Sequence, residues 1–214
     1  MDPVILCDQI TPRPGDHILD LGCGCGIMPL ILGDRHPETR ITGVDIQNTL
    51  ADMAAENVLA NQMQGRVQIL NTDINHLTLQ DIGSEADIII SNPPYKKKGT
   101  GRINPHRGKA IARHEILVTI DQIFAKAASL LAPDGSLHLI FPVDRMAEIT
   151  AAAQTAGLFL KSTRPVKLSK KTPAFRILVS AVNHPAKKTE HLNPLILDKN
   201  HHAPIKAHQT CFNP

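Results

Sequence analysis

Short apolar runs recur along the chain, and most are followed by a stretch with helical spacing. His17–Leu21 (HILDL), Arg40–Asp45 (RITGVD), Arg66–Leu70 and Ala86–Ser91 (ADIIIS) read as strands. The last is apolar almost throughout, as a strand covered on both faces is. Helical patterns occupy Ile27–Gly33 and Leu50–Asn61. The longest such pattern runs from Ile111 to Leu131 and stops at Pro133-Asp134-Gly135, residues that end a helix and form a turn. Ser136–Phe141 is a fifth strand, and Asp144 is placed to cap a helix reaching about Ala156. Leu158–Leu168 and Phe175–Val182 then follow with no helix between them, which predicts a hairpin. Strand–helix alternation closed by a hairpin predicts an α/β fold. Its sheet is doubly wound, mostly parallel and seven-stranded, ending in an antiparallel strand. Residues 1–183 are expected to form this domain, and the polar residues 184–214, with scattered Pro and His, a partly ordered tail.

Composition narrows this picture in a few places. A length of 214 residues suits one compact domain, and with aromatics at 3% and no Trp its core must be aliphatic. No run approaches the roughly 18 apolar residues of a membrane span. The opening MDPVILCDQITPRPGD carries an acid where a secretory signal is basic, so a cytoplasmic protein is expected. Cys7, Cys23, Cys25 and Cys211 lack zinc-finger spacing, and reduced thiols are the default in that compartment. The C-terminal histidines (His184, His191, His201, His202 and His208) are irregularly spaced, and no metal site is expected among them.

Candidate chemistry begins at Asp20-Leu21-Gly22-Cys23-Gly24-Cys25-Gly26, where the first strand gives way to its helix. Glycines here permit a tight turn and let backbone amides approach a ligand closely. Dehydrogenases share such a pattern, but here Asp20 precedes the glycines and no basic residue is present to hold a pyrophosphate. S-adenosylmethionine, with an ammonium, a sulfonium and no phosphate, suits that acid better. Asp45 closes the second strand where an acidic side chain accepts from a ribose diol. Asp73, after the third strand, is placed to accept from an adenine amine. Each of these two acids could instead cap the turn that follows it.

Asn92-Pro93-Pro94-Tyr95 directly follows the fourth strand. An exocyclic amine on adenine, or an amide, is a poor nucleophile because its lone pair is delocalised. Hydrogen bonds from its two N–H groups to the Asn92 side-chain oxygen and the Pro93 carbonyl draw the nitrogen towards tetrahedral geometry. The prolines preorganise both acceptors, and Tyr95 offers a flat face for a planar group. No strong general base is required, because catalysis is mostly in-line positioning.

The glycine segment, the strand-end Asp45 and Asn-Pro-Pro-Tyr together resemble the class I S-adenosylmethionine-dependent amino-methyltransferases. Gly99-Thr100-Gly101-Arg102-Ile103-Asn104-Pro105 and Ala112-Arg113-His114-Glu115 narrow the resemblance to the bacterial tRNA (adenine-N6) methyltransferase family, over about residues 3 to 182. The resemblance implies the Rossmann-like methyltransferase fold and a cofactor, S-adenosylmethionine, held by Asp20, Gly22, Cys23, Gly24, Gly26, Asp45, Ile46, Asp73 and Asn92. It implies catalysis by Asn92, Pro93, Pro94 and Tyr95 on an adenine of RNA, tRNA above all. Members of that family carry a further stretch ahead of the segment matched by Asp2–Ile10, so a shorter cover over the cofactor is expected here.

Charge distribution bears on the substrate. Between Lys96 and His114 stand Lys96, Lys97, Lys98, Arg102, Arg107, Lys109 and Arg113 without one acid. A second acid-free run, Lys161, Arg164, Lys167, Lys170, Lys171 and Arg176, spans the hairpin. Lying next to the tetrapeptide, Lys96, Lys97, Lys98, Arg102, Arg107 and Arg113 are candidate phosphate contacts, with the target base flipped onto Tyr95. The same tetrapeptide serves protein-glutamine and DNA-adenine methylation, and a relative that binds RNA and cofactor without turnover is a further alternative. The glutamine enzymes bring an N-terminal helical domain and the DNA enzymes a recognition insertion, and neither is expected here.

Overall fold

One sheet with helices on both faces makes up residues 1–94 and 118–197, the part of the chain that this computed structural model describes. In chain order the elements are α1 (Asp2–Cys7), β1 (His17–Leu21), α2 (Ile27–Arg35), β2 (Arg40–Asp45), α3 (Asn48–Ala60), β3 (Val67–Asn71), α4 (Leu79–Ile82) and β4 (Ala86–Ser91). After the undescribed stretch come α5 (Ile120–Leu130), β5 (Leu131–Pro142), α6 (Met146–Thr155), β6 (Phe159–Lys167), β7 (Ala174–Val182), β8 (Glu190–His191) and β9 (Leu195–Ile196). The strand order is β3-β2-β1-β4-β5-β7-β6-β8, with β9 also on β6. The antiparallel strand is β7, which is inserted between β5 and β6. The expected α/β fold is the one that forms, but among the described residues its sheet has nine strands rather than seven.

Alternation along the strands separates two cores. Ile89 of β4 packs with Leu19, Leu21 and Val44 on the face covered by α5 and α6. Ile88 and Ile90 pack with Ile18 and Ile41 on the face covered by α1 and α2. The amphipathic pattern of α5 is regular: Ile120, Ile123, Phe124, Ala127 and Leu130 are all buried. Burying one side chain the size of Phe124 stabilises the fold by roughly 1.5–3 kcal/mol.

Several boundaries differ from expectation. The helix read from Ile111 begins at Ile120, because Thr119 caps it in a reciprocal capping box with Gln122; residues 111–117 lie outside the described part. Pro133-Asp134-Gly135 sits inside the span of β5 as an irregularity, where pairing with β4 jumps from Ala86–Leu131 to Ile88–Ser136. Asp144 does not cap α6. It lies in a short 3-10 turn, Val143–Arg145, and Arg145 occupies the cap position, its guanidinium bonded to Glu148 one turn on.

Two tethers close the sheet's last edge. Arg176 of β7 donates to Asp2 at 2.7 Å, and Arg164 of β6 donates to Gln9 at 2.8 Å, fixing α1 and the residues after it. Residues 189–197 run along β6: Leu192 N–H donates to Thr163 O, Leu197 N–H to Lys167 O, and the Thr189 hydroxyl to Leu160 O. An uncovered strand edge is a template for association. Ending the chain after Asn183 is therefore expected to lower the melting temperature and promote association through β6. Size-exclusion chromatography and thermal melts of the shortened and full-length chains check this; identical behaviour would show the strap to be dispensable.

Candidate active site

Strand register decides which residues share the carboxyl rim of the sheet. Leu21 pairs with Val44, Asp45 with Asn71, and Asp20 with Ile90. Gly22, Asp45 and Asn92 therefore stand at one level, each on a neighbouring strand or one step past its end. With about 4.8 Å between strands, Asp45 and Asn92 lie about 10 Å apart, on either side of the glycine loop. The chain adds strands to one side after β1 and to the other from β4, and such a switch point opens a ligand crevice in an α/β sheet. The buried Ser91 hydroxyl clasps the two strands there, donating to Leu21 O at 2.7 Å.

The glycine loop is held by backbone contacts. Gly22 and Cys23 N–H both donate to Val44 O, and Gly24 N–H donates to Asp45 Oδ2 at 2.9 Å. Asn57 of α3 donates to Cys25 O at 3.0 Å. Gly26, the cap of α2, has φ +85°, and a Cβ there would stand 3.1 Å from the Ala54 methyl. A side chain at this position would be strained by the backbone conformation and crowded against Ala54. Cys23 is buried, and burial pushes its thiol pKa up, so it acts as a small packing residue beneath the loop.

The three acids differ in their bonding. Asp45, nearly buried, accepts Gly24 N–H at Oδ2 and Gln47 N–H at Oδ1, 2.9 Å each. A carboxylate offers about four acceptor positions, so two remain for a pair of ligand hydroxyls. Asp73 accepts from the Asn75 backbone and side chain at Oδ1, which leaves Oδ2 for any ligand contact. Asp20 is fully buried, and neither of its oxygens has a hydrogen-bond partner. Desolvation raises its pKa well above the ordinary carboxylate value, and the Asp45 charge raises it further. A buried acid with unmet acceptors, next to a tight glycine turn and beside an acid with two free acceptor positions, fits a ligand carrying both a cation and a diol. S-adenosylmethionine is such a ligand.

The remaining expected residues are placed as follows. Ile46, just past β2, and Asn92 are half-buried, Pro93 is buried and Pro94 exposed. Tyr95, Lys96, Lys97, Lys98, Arg102, Arg107, Lys109 and Arg113 lie outside the described residues, as do His201, His202, His208 and Cys211. Among the described residues no cluster of three metal-ligating side chains occurs, and no helix is long and apolar enough to cross a membrane. The second basic run is divided: Arg164 and Arg176 hold α1, Lys161 lies near the start of β6, and Lys167, Lys170 and Lys171 lie at the carboxyl rim. Sequence reading passed over Ser91, Asn57, Gln47 and Asn71, which brace the loop and the strand ends. Only Ser91, adjoining the Asn-Pro-Pro-Tyr segment, carried a signal that could have marked it.

A doubly wound sheet with one inserted antiparallel strand and a crevice between β1 and β4 is the Rossmann-like fold of methyltransferases. A crystal structure of a predicted O-methyltransferase from Agrobacterium tumefaciens superposes with a TM-score of 0.73 at 20% identity, covering 95% of this chain and 91% of that one. The chain belongs to the methyltransferase small domain family, whose model matches residues 3–178. It is 35% identical over 144 residues to a Porphyromonas gingivalis protein named tRNA1(Val) (adenine(37)-N6)-methyltransferase, a match covering 66% of this chain and 56% of that protein. A Vibrio cholerae protein of the same name is 32% identical over 177 residues, covering 83% and 72%.

The buried acid makes ligand-free stability pH-dependent. Because the folded-state pKa of Asp20 is raised, its contribution is fully present below the unfolded value of about 3.9 and is lost as pH rises through the folded value. The melting temperature of Asp20→Asn relative to wild type is expected to climb as pH rises from about 4 towards 8. A constant difference across that range would contradict an uncompensated buried charge.

Proposed function

We propose that this chain transfers a methyl group from S-adenosylmethionine to the exocyclic amine of an adenine in RNA, with tRNA the substrate class that its relatives' names indicate. The observation that carries this reading is the shared level of Gly22, Asp45 and Asn92 across the switch point. A cofactor held by Asp45 and the loop presents its reactive end on the Asn92 side.

In this reading Asp45 accepts from the ribose hydroxyls, Asp73 Oδ2 from the adenine amine and Asp20 balances the ammonium, while Gly22, Cys23, Gly24 and Gly26 supply the surface beneath and Ile46 packs alongside. The bound cofactor supplies an electrophilic methyl on a sulfonium. Asn92 accepts one N–H of the target amine and the Pro93 carbonyl the other, so that the nitrogen lone pair points at the methyl. The amine nitrogen forms the new N–C bond as the C–S bond breaks, with the electron pair left on sulfur. The nitrogen's surplus proton then passes to solvent. Tyr95 stacks on the base, and Lys96, Lys97, Lys98, Arg102, Arg107 and Arg113 contact phosphates. Pro93 and Pro94 keep the acceptors fixed before the substrate arrives.

Asn92→Ala removes one of two acceptors and is expected to slow single-turnover methyl transfer by about a hundredfold to a thousandfold. Cofactor affinity, measured by calorimetry, should change little by comparison. Asn92→Asp keeps an acceptor of the same shape and should retain more activity than Ala. Wild-type turnover in Asn92→Ala would sink the proposed role.

A further inference from the structure

We infer that the turn of the β6–β7 hairpin is a second phosphate-contacting element for the RNA substrate, with Lys170 and Lys171 as its contact residues. The inference rests on RNA being the substrate and adds where its flanking backbone lies. The hairpin's cations fall into two groups. On its paired strands, Arg164 and Arg176 are engaged by Gln9, the Asn193 carbonyl and Asp2. At its tip, Lys170 and Lys171 are exposed, and neither takes part in an ion pair among the described residues. No Asp or Glu occurs between Glu148 and Glu190, so the segment has no acid of its own to neutralise the tip.

The tip is also a built turn. Ser169 N–H donates to Thr172 Oγ1 at 2.9 Å, the Thr172 hydroxyl donates to Ser169 O at 3.1 Å, and Thr172 N–H donates to the same carbonyl at 3.3 Å. Lys170 and Lys171 are the two central residues of that closed loop. Less ordering entropy is then lost on meeting a phosphate than with lysines on a free strand.

Register locates the tip relative to the reaction site. Ser91 pairs with Leu139, Leu139 with Val179, and Val179 with Thr163, so the level of Asn92 meets β6 at Arg164. Lys167 is three residues farther along, about 10 Å beyond that level at about 3.3 Å per residue. Three inter-strand steps separate β4 from β6, about 14 Å sideways. The hairpin therefore stands as a raised basic wall beside the crevice. At about 3.4 Å of axis per nucleotide in a helical strand, it meets backbone several nucleotides from the target adenine. On this inference that backbone is a stem flanking the target.

The test uses the full chain, the double variant Lys170→Ala/Lys171→Ala, a tRNA transcript that wild type methylates, and a short fragment of it carrying the target without its stem. For the transcript, the variant is expected to show a higher KM with unchanged kcat. The slope of log affinity against log salt should be smaller by about 1.4–1.8 units, the value for two lost phosphate contacts. For the stemless fragment, variant and wild type should behave alike, and S-adenosylmethionine affinity should be equal in both proteins. Lys170→Arg/Lys171→Arg should restore the slope. An unchanged slope and KM on the transcript would overturn the hairpin's role while leaving RNA methylation standing. An equal loss on the stemless fragment would overturn the placement on the stem. A wild-type protein that neither binds nor methylates RNA would remove the substrate reading and this inference with it.

Discussion

Asp45 accepts the backbone N–H of Gly24 at one carboxylate oxygen and that of Gln47 at the other, joining the glycine loop after β1 to the entry of α3. Its own carbonyl accepts Thr72 N–H and the Asn71 side chain, which ties the end of β3 to the same residue. One side chain and its backbone thus lock three successive connections at the carboxyl rim. The crevice keeps its shape because of this, and the two acceptor positions left on Asp45 point to a diol. Loss of this carboxylate would release the loop, so its contribution to the proposed binding includes holding the loop in place.

Asp20 imposes the opposing constraint. It shares the Ile18 face of β1, fully buried and without a hydrogen-bond partner, in a protein that pays for few other unmet polar groups among its described residues. Such a carboxyl destabilises the empty fold once ionised, and a cationic ligand offsets that cost. Under the proposed function, stability and cofactor recognition are coupled through this one group. The apolar layers around it, Ile88 and Ile90 on one face and Ile89 on the other, hold the strand ends in register independently of the ligand.

Periodicity made β1, β2 and β4 legible to the residue, because strands buried on both faces are short apolar runs bounded by turn chemistry. It failed where tertiary contacts decide. The strap residues 189–197 carry no strand pattern of their own and become ordered against the β6 edge. Pro133-Asp134-Gly135 has turn chemistry but is carried as an irregularity within a strand, and Asp144 has a capping side chain but falls in a 3-10 turn. At the site, Asp20, Asp45 and the glycines were legible because their chemistry is concentrated at strand ends. The bracing residues Asn57 and Asn71 were not, since an Asn that holds a distant carbonyl looks like any other polar surface residue. The basic run on the hairpin had to be divided by structure, as two of its arginines hold α1 while the tip lysines do not.

The central claim is that the rim from Asp45 to Asn92 serves methyl transfer to an adenine amine in RNA. The most direct measurement incubates the full chain with methyl-labelled S-adenosylmethionine and separate pools of tRNA, DNA and cell protein. Each pool is then digested and the labelled product identified by mass spectrometry. The account predicts label in N6-methyladenosine from the tRNA pool. Label in DNA adenine or in protein glutamine instead, or no transfer to any pool by a protein that binds the cofactor, would contradict it.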